Sequence, residues 1–303
     1  MLVVGASGLV GGRLLAGLSG DTRFRVRAAS RVDRKWPARI EGVVIDPAAA
    51  DGLQAACEGA DTVVNLASMT DAACAADPGG ALRANAGGTR TLVGAAIAAG
   101  ITRFVQVSTA KVYGNNPTGV ITESTVTRPE SHYAITHRVA EDYAMLHSNA
   151  VVMRLSNGYG APASRCRRSW DVMVNEFCRE AATTGRITLR GDGLAWRNFI
   201  PLDDVVVALK FALTSLPRGT YNLGAPQSMP IRTMANRVAG ACTDALGFSA
   251  EVVATRASRS DAPPLDFRTD KLRDAGVRIE DADREIRRTL VQARTTFAAG
   301  GDV

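Results

Sequence analysis

The chain opens with a short apolar run that leads into regularly spaced glycines. The β-branched residues Val3 and Val4 precede three glycines at three-residue intervals, Gly5, Gly8 and Gly11. Apolar residues then recur at helical spacing, at Val10, Leu14, Leu15 and Leu18. This pattern predicts a strand, a tight turn and a helix over residues 1–20.

Further apolar segments alternate with helix-like segments along the first half of the chain. The predicted strands are 24–29, 43–45, 62–66, 104–107 and 151–155, and the predicted helices are 52–58 and 80–99. Segment 62–66 is nearly all apolar, which is typical of a parallel strand that is buried on both faces. We therefore expect an α/β fold with a doubly wound parallel sheet of the Rossmann type.

The second half of the chain predicts a smaller α/β region. Its predicted elements are a helix at 226–247, a strand at 251–254, a loop at 262–265 and helices at 270–276 and 286–297. Trp170, Met173, Val174 and Phe177 have the spacing of one helix face. Such a face more often packs in a core than binds a cofactor.

Composition sets broad limits on the class of protein. The 303 residues are 46% hydrophobic, with a mean hydropathy of −0.00. No apolar run approaches the length of a membrane span and no basic leader precedes the first strand, so a cytoplasmic protein without membrane attachment is expected. The five cysteines are widely spaced without a CxxC pair, so neither a disulfide framework nor a metal site is expected.

The basic charge indicates a small phosphorylated ligand rather than nucleic acid. The net charge of +6 comes from arginines spread over the chain, apart from one cluster at Arg165, Arg167 and Arg168. A basic stripe interleaved with aromatic residues, which would indicate a nucleic-acid partner, is absent from the sequence. A phosphate-bearing small molecule is the better expectation.

The glycine turn has the pattern of a dinucleotide site. A pyrophosphate can rest on the N–H groups of a first helical turn only if no Cβ keeps the backbone away from it. Gly5 would make the turn, Gly8 would let the phosphates approach, and Gly11 would let the helix pack closely on the strand. The predicted contacts are Gly5, Ser7, Gly8, Leu9, Val10 and Gly11. The alternative is a glycine-rich turn that binds no ligand.

The residues after the second strand favour NADP(H) over NAD(H). A carboxylate at this point would bind the ribose hydroxyls of NAD, but the sequence has Ser30 and Arg31, followed by Arg34 and Lys35. Arginine can pair bidentately with a 2′-phosphate, although the nearby Asp33 keeps NAD open. Further cofactor contacts are expected after the third and fourth strands, at Asp46, Leu66, Ala67 and Ser68.

Motifs along almost the whole chain together resemble the extended short-chain dehydrogenase/reductase family. They are Gly5-x-x-Gly8-x-x-Gly11, Asp77-Pro78 with Asn85-x-x-Gly88-Thr89, Val107-Ser108-Thr109-Ala-Lys111-Val-Tyr113-Gly114, Tyr133 followed by Glu141, Arg154-Leu-Ser-Asn157-Gly-Tyr-Gly160, Arg197-Asn198-Phe199 and Tyr221-Asn222-Leu-Gly224. The likeness is greatest to the nucleotide-sugar epimerase, dehydratase and ketoreductase branch. It implies an NAD(P)-dependent enzyme that acts on a nucleoside-diphosphate sugar and assembles as a homodimer.

The resemblance also implies roles for individual residues and segments. The phenol of Tyr133 would take or give the hydroxyl proton, and Thr109 would share the hydrogen bond, with Ser108 as its neighbour. Asn85, Ser108 and Tyr133 would contact the cofactor. The implied substrate contacts are Thr109, Lys111, Asn157, Arg197 and Arg268. Residues 1–160 would form the dinucleotide-binding domain, and 161–303 mainly the substrate-binding region, which returns to the sheet near 195–225.

One position departs from the family. Members carry a lysine four residues after the tyrosine, where it stabilises the phenolate and holds the nicotinamide ribose, but this chain has His137. His137 could hold the ribose hydroxyls and share a proton with Tyr133. Alternatively, Lys111 could supply the missing charge, because it lies two residues beyond Thr109 on the same side of an extended segment. In the third interpretation the oxidation step is lost, and the protein is a cofactor-binding sensor or assembly partner.

Two features of the sequence distinguish between dehydration, epimerisation and reduction. Ala110 and Lys111 stand where dehydratases of this branch carry an acid pair, which counts against dehydration. Epimerisation keeps its cofactor, usually NAD, bound through each turnover. The basic segment after the second strand instead favours an exchanging NADPH and the reduction of a keto-sugar, with a NAD-dependent 4-epimerase as the alternative.

Overall fold

Strands and helices alternate along the computed structural model, which describes residues 1–49, 51–163, 167–255, 263–279 and 283–297. The strands are β1 Leu2–Val4, β2 Val26–Ser30, β3 Ile40–Val44, β4 Thr62–Asn65, β5 Arg103–Thr109, β6 Gly119–Ile121, β7 Ala150–Leu155, β8 Asn157–Tyr159, β9 Arg186–Leu189, β10 Trp196–Pro201, β11 Gly219–Leu223, β12 Ser228–Pro230, β13 Glu251–Ala254 and β14 Leu265–Phe267. The α-helices are α1 Leu9–Leu18, α2 Leu53–Cys57, α3 Asp71–Ala76, α4 Pro78–Ala81, α5 Gly88–Ala98, α6 His132–Ala144, α7 Met173–Thr184, α8 Leu202–Thr214, α9 Ile231–Leu246, α10 Asp270–Asp274 and α11 Asp283–Phe297. A π-helical segment, Leu82–Gly87, joins α4 to α5, and 3₁₀ turns occupy Ala110–Tyr113 and Arg167–Trp170. Within these described ranges, no helix is long and apolar enough to span a bilayer.

The main sheet has seven strands in the order β11-β7-β5-β4-β1-β2-β3. From β7 to β3, each strand runs parallel to its neighbour. In the middle of the sheet, Val4 of β1 lies opposite Ala29 on one side and Asn65 on the other. All three residues of β1 are buried, as expected for a strand that is covered on both faces. The doubly wound parallel sheet predicted from the sequence is therefore confirmed.

The chain forms two compact units. The first comprises Met1–Asn115, Glu123–Leu155 and Ala208–Asn222 and holds nearly all of the seven-stranded sheet. The second comprises Asn116–Thr122, Ser156–Val207 and Leu223–Val303. Its described residues include three small sheets, ordered β12-β10-β8, β13-β9 and β14-β6. The domain boundary placed at residue 160 stays a prediction.

Each unit has its own apolar core. In the first, Leu2, Val63 and Phe104 of the sheet pack with Leu92 of α5. In the second, side chains of α7, α9 and α11 meet, including Phe177, Val238, Ile286 and Leu290. Val174 and Phe177 are both buried, so the helix face predicted to be core is core.

The strand predicted at 43–45 spans Ile40–Val44, and three further elements differ from the sequence prediction for a clear reason. The segment predicted as a helix at 226–247 begins with a strand, because β12 pairs antiparallel with β10 before α9 begins at Ile231, with Pro230 as its N-cap residue. The helix predicted at 80–99 begins at Pro78, where the Asp77 side chain accepts a hydrogen bond from the Gly80 N–H at 2.8 Å. The segment predicted as a loop at 262–265 ends in β14, which pairs with β6.

Candidate functional site

Four strands of the first unit end along one edge of the sheet. Because β1, β2, β4 and β5 are parallel, the residues at their carboxyl ends lie at that same edge. Gly5 follows β1, Ser30 ends β2, Leu66 follows β4, and Thr109 ends β5. Ligands of open α/β sheets bind at this edge. The topology thus gathers the predicted cofactor segments and the predicted reactive residues.

Two glycines at the β1–α1 junction have no room for a side chain, whereas a third, Gly8, has free space beside it. Gly5 has a φ of +78°, and a Cβ there would lie 2.6 Å from the backbone nitrogen of Ala67. A Cβ on Gly11 would lie 2.5 Å from the Gly5 carbonyl oxygen. A Cβ on Gly8 would meet nothing closer than that oxygen, at 3.4 Å. Gly5 and Gly11 therefore allow close packing, whereas Gly8 leaves room over the first turn of α1.

The first turn of α1 can bind an anion. Gly8 is its N-cap residue, so the N–H groups of Leu9, Val10 and Gly11 have no helical carbonyl one turn earlier to pair with. The helix dipole adds partial positive charge at this end. The first turn contains no acidic residue, and Ser7 lies half-buried beside it.

Basic side chains follow β2. The Ser30 hydroxyl donates to the Val32 carbonyl at 2.5 Å, which shapes the loop. Arg31 and Arg34 are exposed, and the Arg34 guanidinium lies 5.8 Å from the ring centroid of Trp36. After β3, the Asp46 carboxylate accepts from the Ala48 N–H at 3.0 Å. Ser30 and Asp46 are thus engaged locally, while the two arginines face solvent.

Buried amides hold the loop after β4. Asn65 donates to Thr89 and Gln106, and its carbonyl oxygen accepts from the Ala67 N–H. Asn85, in the π-helical segment, accepts from the Met69 N–H at 2.8 Å. Its amide nitrogen donates to the Thr136 hydroxyl of α6 at 3.0 Å. Asn85 therefore fastens this loop to α6, and its predicted contact with the cofactor stays a prediction. In the same loop, Leu66 and Ala67 are half-buried and Ser68 is exposed.

Tyr133 lies in the first turn of α6. Ser131 caps the helix by accepting from the Ala134 N–H at 3.2 Å. Hydrogen bonding with the Thr109 side chain acts to lower the pKa of Tyr133, so the two hydroxyls lie near each other, and their predicted catalytic pairing stays a prediction. Burial raises the pKa of Tyr133 to about 12, although the bond to Thr109 acts in the opposite direction. The phenol is therefore protonated at neutral pH.

His137 lies one turn further along α6, on the same face. Its ring centroid is 4.4 Å from that of Tyr133, and the residue is only 4% exposed. Neither ring nitrogen has a hydrogen-bond partner among the described residues. Burial lowers the pKa of His137 to about 4. The side chain is consequently uncharged at neutral pH and cannot replace the charge of a lysine.

A lysine–aspartate pair also lies near the ring of Tyr133. The Lys111 Nζ is 5.8 Å from the Tyr133 ring centroid and 2.5 Å from an Asp71 carboxylate oxygen. The Lys111 backbone N–H donates to the Thr109 hydroxyl at 3.2 Å. Both charged side chains are partly exposed, at 42% and 46%. The structure thus places Thr109, Lys111, Tyr133 and His137 close together, with Asp71 beside Lys111, and the roles predicted for them stay predictions.

Ser108 belongs to a buried ionic network. Its hydroxyl donates to Glu141 at 2.6 Å, and Glu141 forms an ion pair of 2.7 Å with Arg154. Arg154 also donates to the Tyr113 hydroxyl, which in turn donates to Asn222. Burial alone would lower the pKa of Arg154, but the bonds and charge of Glu141 raise it above its usual value. The contact predicted between Ser108 and the cofactor stays a prediction.

The predicted substrate residues Asn157, Arg197 and Arg268 lie in the second unit. Asn157 donates to the Asn198 carbonyl at 2.8 Å, which ties β8 to β10. Arg197 donates to the Asn116 side chain at 2.8 Å, and burial lowers the pKa of Arg197. Arg268 pairs with Asp266 at 2.7 Å and with Asp270 at 3.8 Å. The side chains of the arginine cluster at 165–168 lie outside the described part of the chain.

The comparison with protein families decides the affiliation. A model described as the NAD dependent epimerase/dehydratase family matches residues 1–224. The chain belongs to this family. The resemblance to extended short-chain dehydrogenases/reductases is thereby confirmed.

Relatives within the NAD-dependent epimerase/dehydratase family include nucleotide-sugar dehydratases. A dTDP-glucose 4,6-dehydratase of Streptomyces griseus is 33% identical over 173 residues, which cover 55% of this chain and 51% of the relative. The matched part is thus about half of that relative's length. A dTDP-glucose 4,6-dehydratase of Streptomyces antibioticus is 29% identical over 282 residues, or 86% of this chain and 81% of the relative.

Solved structures share the fold of this family member. UDP-glucose 4-epimerase from Thermotoga maritima, solved with UDP-glucose, superposes with a TM-score of 0.82 at 19% identity and covers 97% of this chain and 98% of that one. RMD from Pseudomonas aeruginosa, complexed with NADPH, superposes with a TM-score of 0.78 at 22% identity and covers 97% and 99%. At these identities the likeness shows the fold.

Asp71 is the residue of the site that the sequence analysis missed. It begins α3, far from Lys111 in the chain, and only the three-dimensional packing brings the two together. The available local signal was Thr70, a helix cap whose side chain accepts from the Ala73 N–H at 3.3 Å. That cap indicates a helix start but no partner for a lysine.

Proposed function

We propose that this family member is an NADP(H)-dependent oxidoreductase that reduces a keto group of a nucleoside-diphosphate sugar, with Tyr133 as the proton donor. The observation that supports this most directly is the nearness of the Tyr133 hydroxyl to Thr109, beside the His137 ring, whose nitrogens have no partner among the described residues. These groups occupy the same sheet edge as the glycine turn.

The residues at that edge fit a nicotinamide dinucleotide. Gly8 leaves room over the first turn of α1, whose N–H groups suit a pyrophosphate. The neutral ring of His137 has one donor and one acceptor nitrogen, neither with a partner among the described residues, so a ribose hydroxyl that reached the ring could pair with one of them. The exposed Arg31 and Arg34 suit the 2′-phosphate of NADP(H). The bound dinucleotide would supply the hydride.

The protonation state of Tyr133 favours reduction. Reduction of a ketone requires a proton for the developing alkoxide, and a phenol with a pKa of about 12 carries that proton at neutral pH. Oxidation, the first step of epimerisation or dehydration, would require the phenolate, which burial disfavours. Thr109 holds the phenol at the carboxyl end of β5.

A 4-epimerase is the second candidate. Epimerases solved with NAD or a UDP-sugar share this fold, such as UDP-glucuronic acid 4-epimerase from Bacillus cereus. In that case Tyr133 would give and take the proton in turn. The dehydratase activity named for the curated relatives is less well supported here, because Ala110 and Lys111 stand where an acid pair is expected.

The proposal is tested with purified protein, NADPH or NADH, and a panel of nucleotide keto-sugars. We expect NADPH binding by fluorescence and loss of NADPH absorbance with at least one keto-sugar. Tyr133→Phe should retain NADPH binding and lose about 10²–10⁴-fold in turnover. Tyr143→Phe, on the same helix, is the matched control and should keep turnover.

Three results would count against the proposal. An absence of binding of either dinucleotide removes its basis. Binding without turnover of any keto-sugar, unrescued by His137→Lys, favours the non-catalytic sensor or assembly protein. Full turnover by Tyr133→Phe excludes the phenol as the proton donor.

A further inference from the structure

We propose that Lys111, held by Asp71, carries the positive charge that stabilises the ionised form of Tyr133 in place of the family's lysine. This inference rests on the proposed role of Tyr133 and extends it to a positioning residue on a different structural element. It concerns the charge around the phenol and can be measured without any substrate.

The first step is that position 137 supplies no charge. The His137 ring is buried, and its nitrogens have no partner among the residues that the structure describes, so no carboxylate is present to hold an imidazolium there. The other titratable groups facing Tyr133 are Asp71, Lys111 and the Cys74 thiol. Among these groups, Lys111 is the only cation at neutral pH.

The second step is that the backbone fixes Lys111. It lies in the 3₁₀ turn Ala110–Tyr113, which directly follows β5. Thr109 caps this turn by accepting from the Lys111 N–H at 3.2 Å, and the same Thr109 side chain bonds the phenol. Thr109 therefore contacts both the Tyr133 phenol and the backbone from which the Lys111 side chain extends. The Nζ is 5.8 Å from the ring centroid, within the range of a favourable cation–ring contact.

The third step concerns Asp71. Its carboxylate lies 2.5 Å from the Lys111 Nζ and holds the ammonium at the end of its flexible side chain. Its own negative charge disfavours the phenolate and raises the pKa of Tyr133. The charge of Lys111 has the opposite sign, so on this proposal the two side chains act on the phenol in opposite directions. Removing each charge in turn should move the ionisation of Tyr133 in opposite directions, and a purely structural role for the pair does not predict this.

The test is a fluorine NMR titration of the whole protein. The five tyrosines are replaced biosynthetically by 3,5-difluorotyrosine, whose more acidic phenol ionises where the fold persists. Tyr133→Phe identifies the signal of position 133. We expect Lys111→Gln to raise the midpoint of that signal by about one pH unit or more, and Asp71→Asn to lower it. Lys271→Gln, a lysine exchange in the second unit, is the matched control and should leave the midpoint unchanged.

Two further variants keep the test decisive. Lys111→Arg retains the charge and should keep the midpoint within about half a unit of the parent. If Lys111→Gln does not fold, Lys111→Met removes the same charge and must show the upward shift in its place, because the downward shift in Asp71→Asn follows from the charge of Asp71 alone. An unchanged or lowered midpoint in folded Lys111→Gln overturns it, as does an upward shift in Asp71→Asn.

The proposed function and this inference can fail separately. NADPH binding and turnover are measured on the same proteins. If Lys111→Gln raises the titration midpoint of Tyr133 but the parent protein turns over no keto-sugar, the inference is supported and the proposed function is contradicted. If the parent protein turns over a keto-sugar but Lys111→Gln leaves the titration midpoint of Tyr133 unchanged, only the inference is contradicted.

Discussion

The buried ring of His137 predicts that the fold loses stability in mild acid. Burial lowers the pKa of His137 from 6.5 to about 4, so the unfolded chain takes up a proton at higher pH than the native protein. Its contribution to stability is complete above about pH 6.5 and is lost as the pH falls toward about 4. At about 1.4 kcal/mol per pKa unit, the full loss is about 3 kcal/mol, of which about 2 kcal/mol falls between about pH 7 and pH 5.

The assay is urea unfolding of the parent and of His137→Met at these two pH values. The variant fills a similar volume without a titrating group, so its free energy of unfolding should fall by about 2 kcal/mol less than that of the parent. His132→Met, which changes an exposed histidine on the same helix, is the control and should follow the parent.

Two results would refute this reasoning. One is an equal loss of stability in the parent and in His137→Met between the two pH values. The other is an NMR titration of the native protein in which the His137 ring takes up its proton near its usual pKa. Either result would mean that the ring is hydrated or has a partner.

Five other substitutions, two of them paired comparisons, test the glycine turn, the buried Glu141–Arg154 pair and the loop after β2. Gly11→Ala should lower the free energy of unfolding in urea by about 1–3 kcal/mol, because its Cβ would lie 2.5 Å from a carbonyl oxygen of the turn. Gly8→Ala should leave that free energy unchanged but weaken NADPH binding about tenfold. Glu141→Gln leaves a buried arginine unpaired and should cost about 3–5 kcal/mol. Asp142→Asn, whose side chain is 68% exposed, should cost less than about 1 kcal/mol, and equal costs would contradict the burial argument. Arg31→Ala should weaken NADPH binding about tenfold and leave NADH binding unchanged in fluorescence titrations, whereas equal losses would exclude a 2′-phosphate contact.

The main sheet could be predicted because its signals are local. Buried parallel strands are continuous apolar runs, and β4 and β5 were found close to their actual bounds. The elements that were missed depend on distant partners. The strand β12 is three residues long and exists because it pairs with β10, and β14 exists because it pairs with β6. No apolar periodicity can show in so few residues.

The residues of the candidate site likewise fall into those that the sequence could predict and those that depend on distant partners. Thr109 and Tyr133 were predicted together because their motifs resemble those of the family, and His137 was added because a four-residue spacing on a helix places it one turn from Tyr133. Asp71 was not, because its pairing with Lys111 joins the start of α3 to the 3₁₀ turn after β5, which are far apart in the sequence. The π-helical segment around Asn85 likewise escaped prediction, because an extra residue in a helical turn changes no apolar pattern that the sequence displays.

The charge distribution beside Tyr133 follows from the residue at position 137. A lysine buried there would lose its hydration, and only a bound ligand or a buried carboxylate could offset that cost. The chain instead buries a neutral ring at 4% exposure and places its ammonium at Lys111, where the side chain is 42% exposed and paired. A half-exposed pair loses much less hydration than a buried, unpaired ion. The stability of the ligand-free fold and the proposed action of Lys111 on the phenol therefore favour the same arrangement. Solvent and Asp71 both screen the ammonium of Lys111, so its effect on the pKa of Tyr133 is weaker than that of a buried lysine would be. The phenol accordingly stays protonated until a reaction removes its proton.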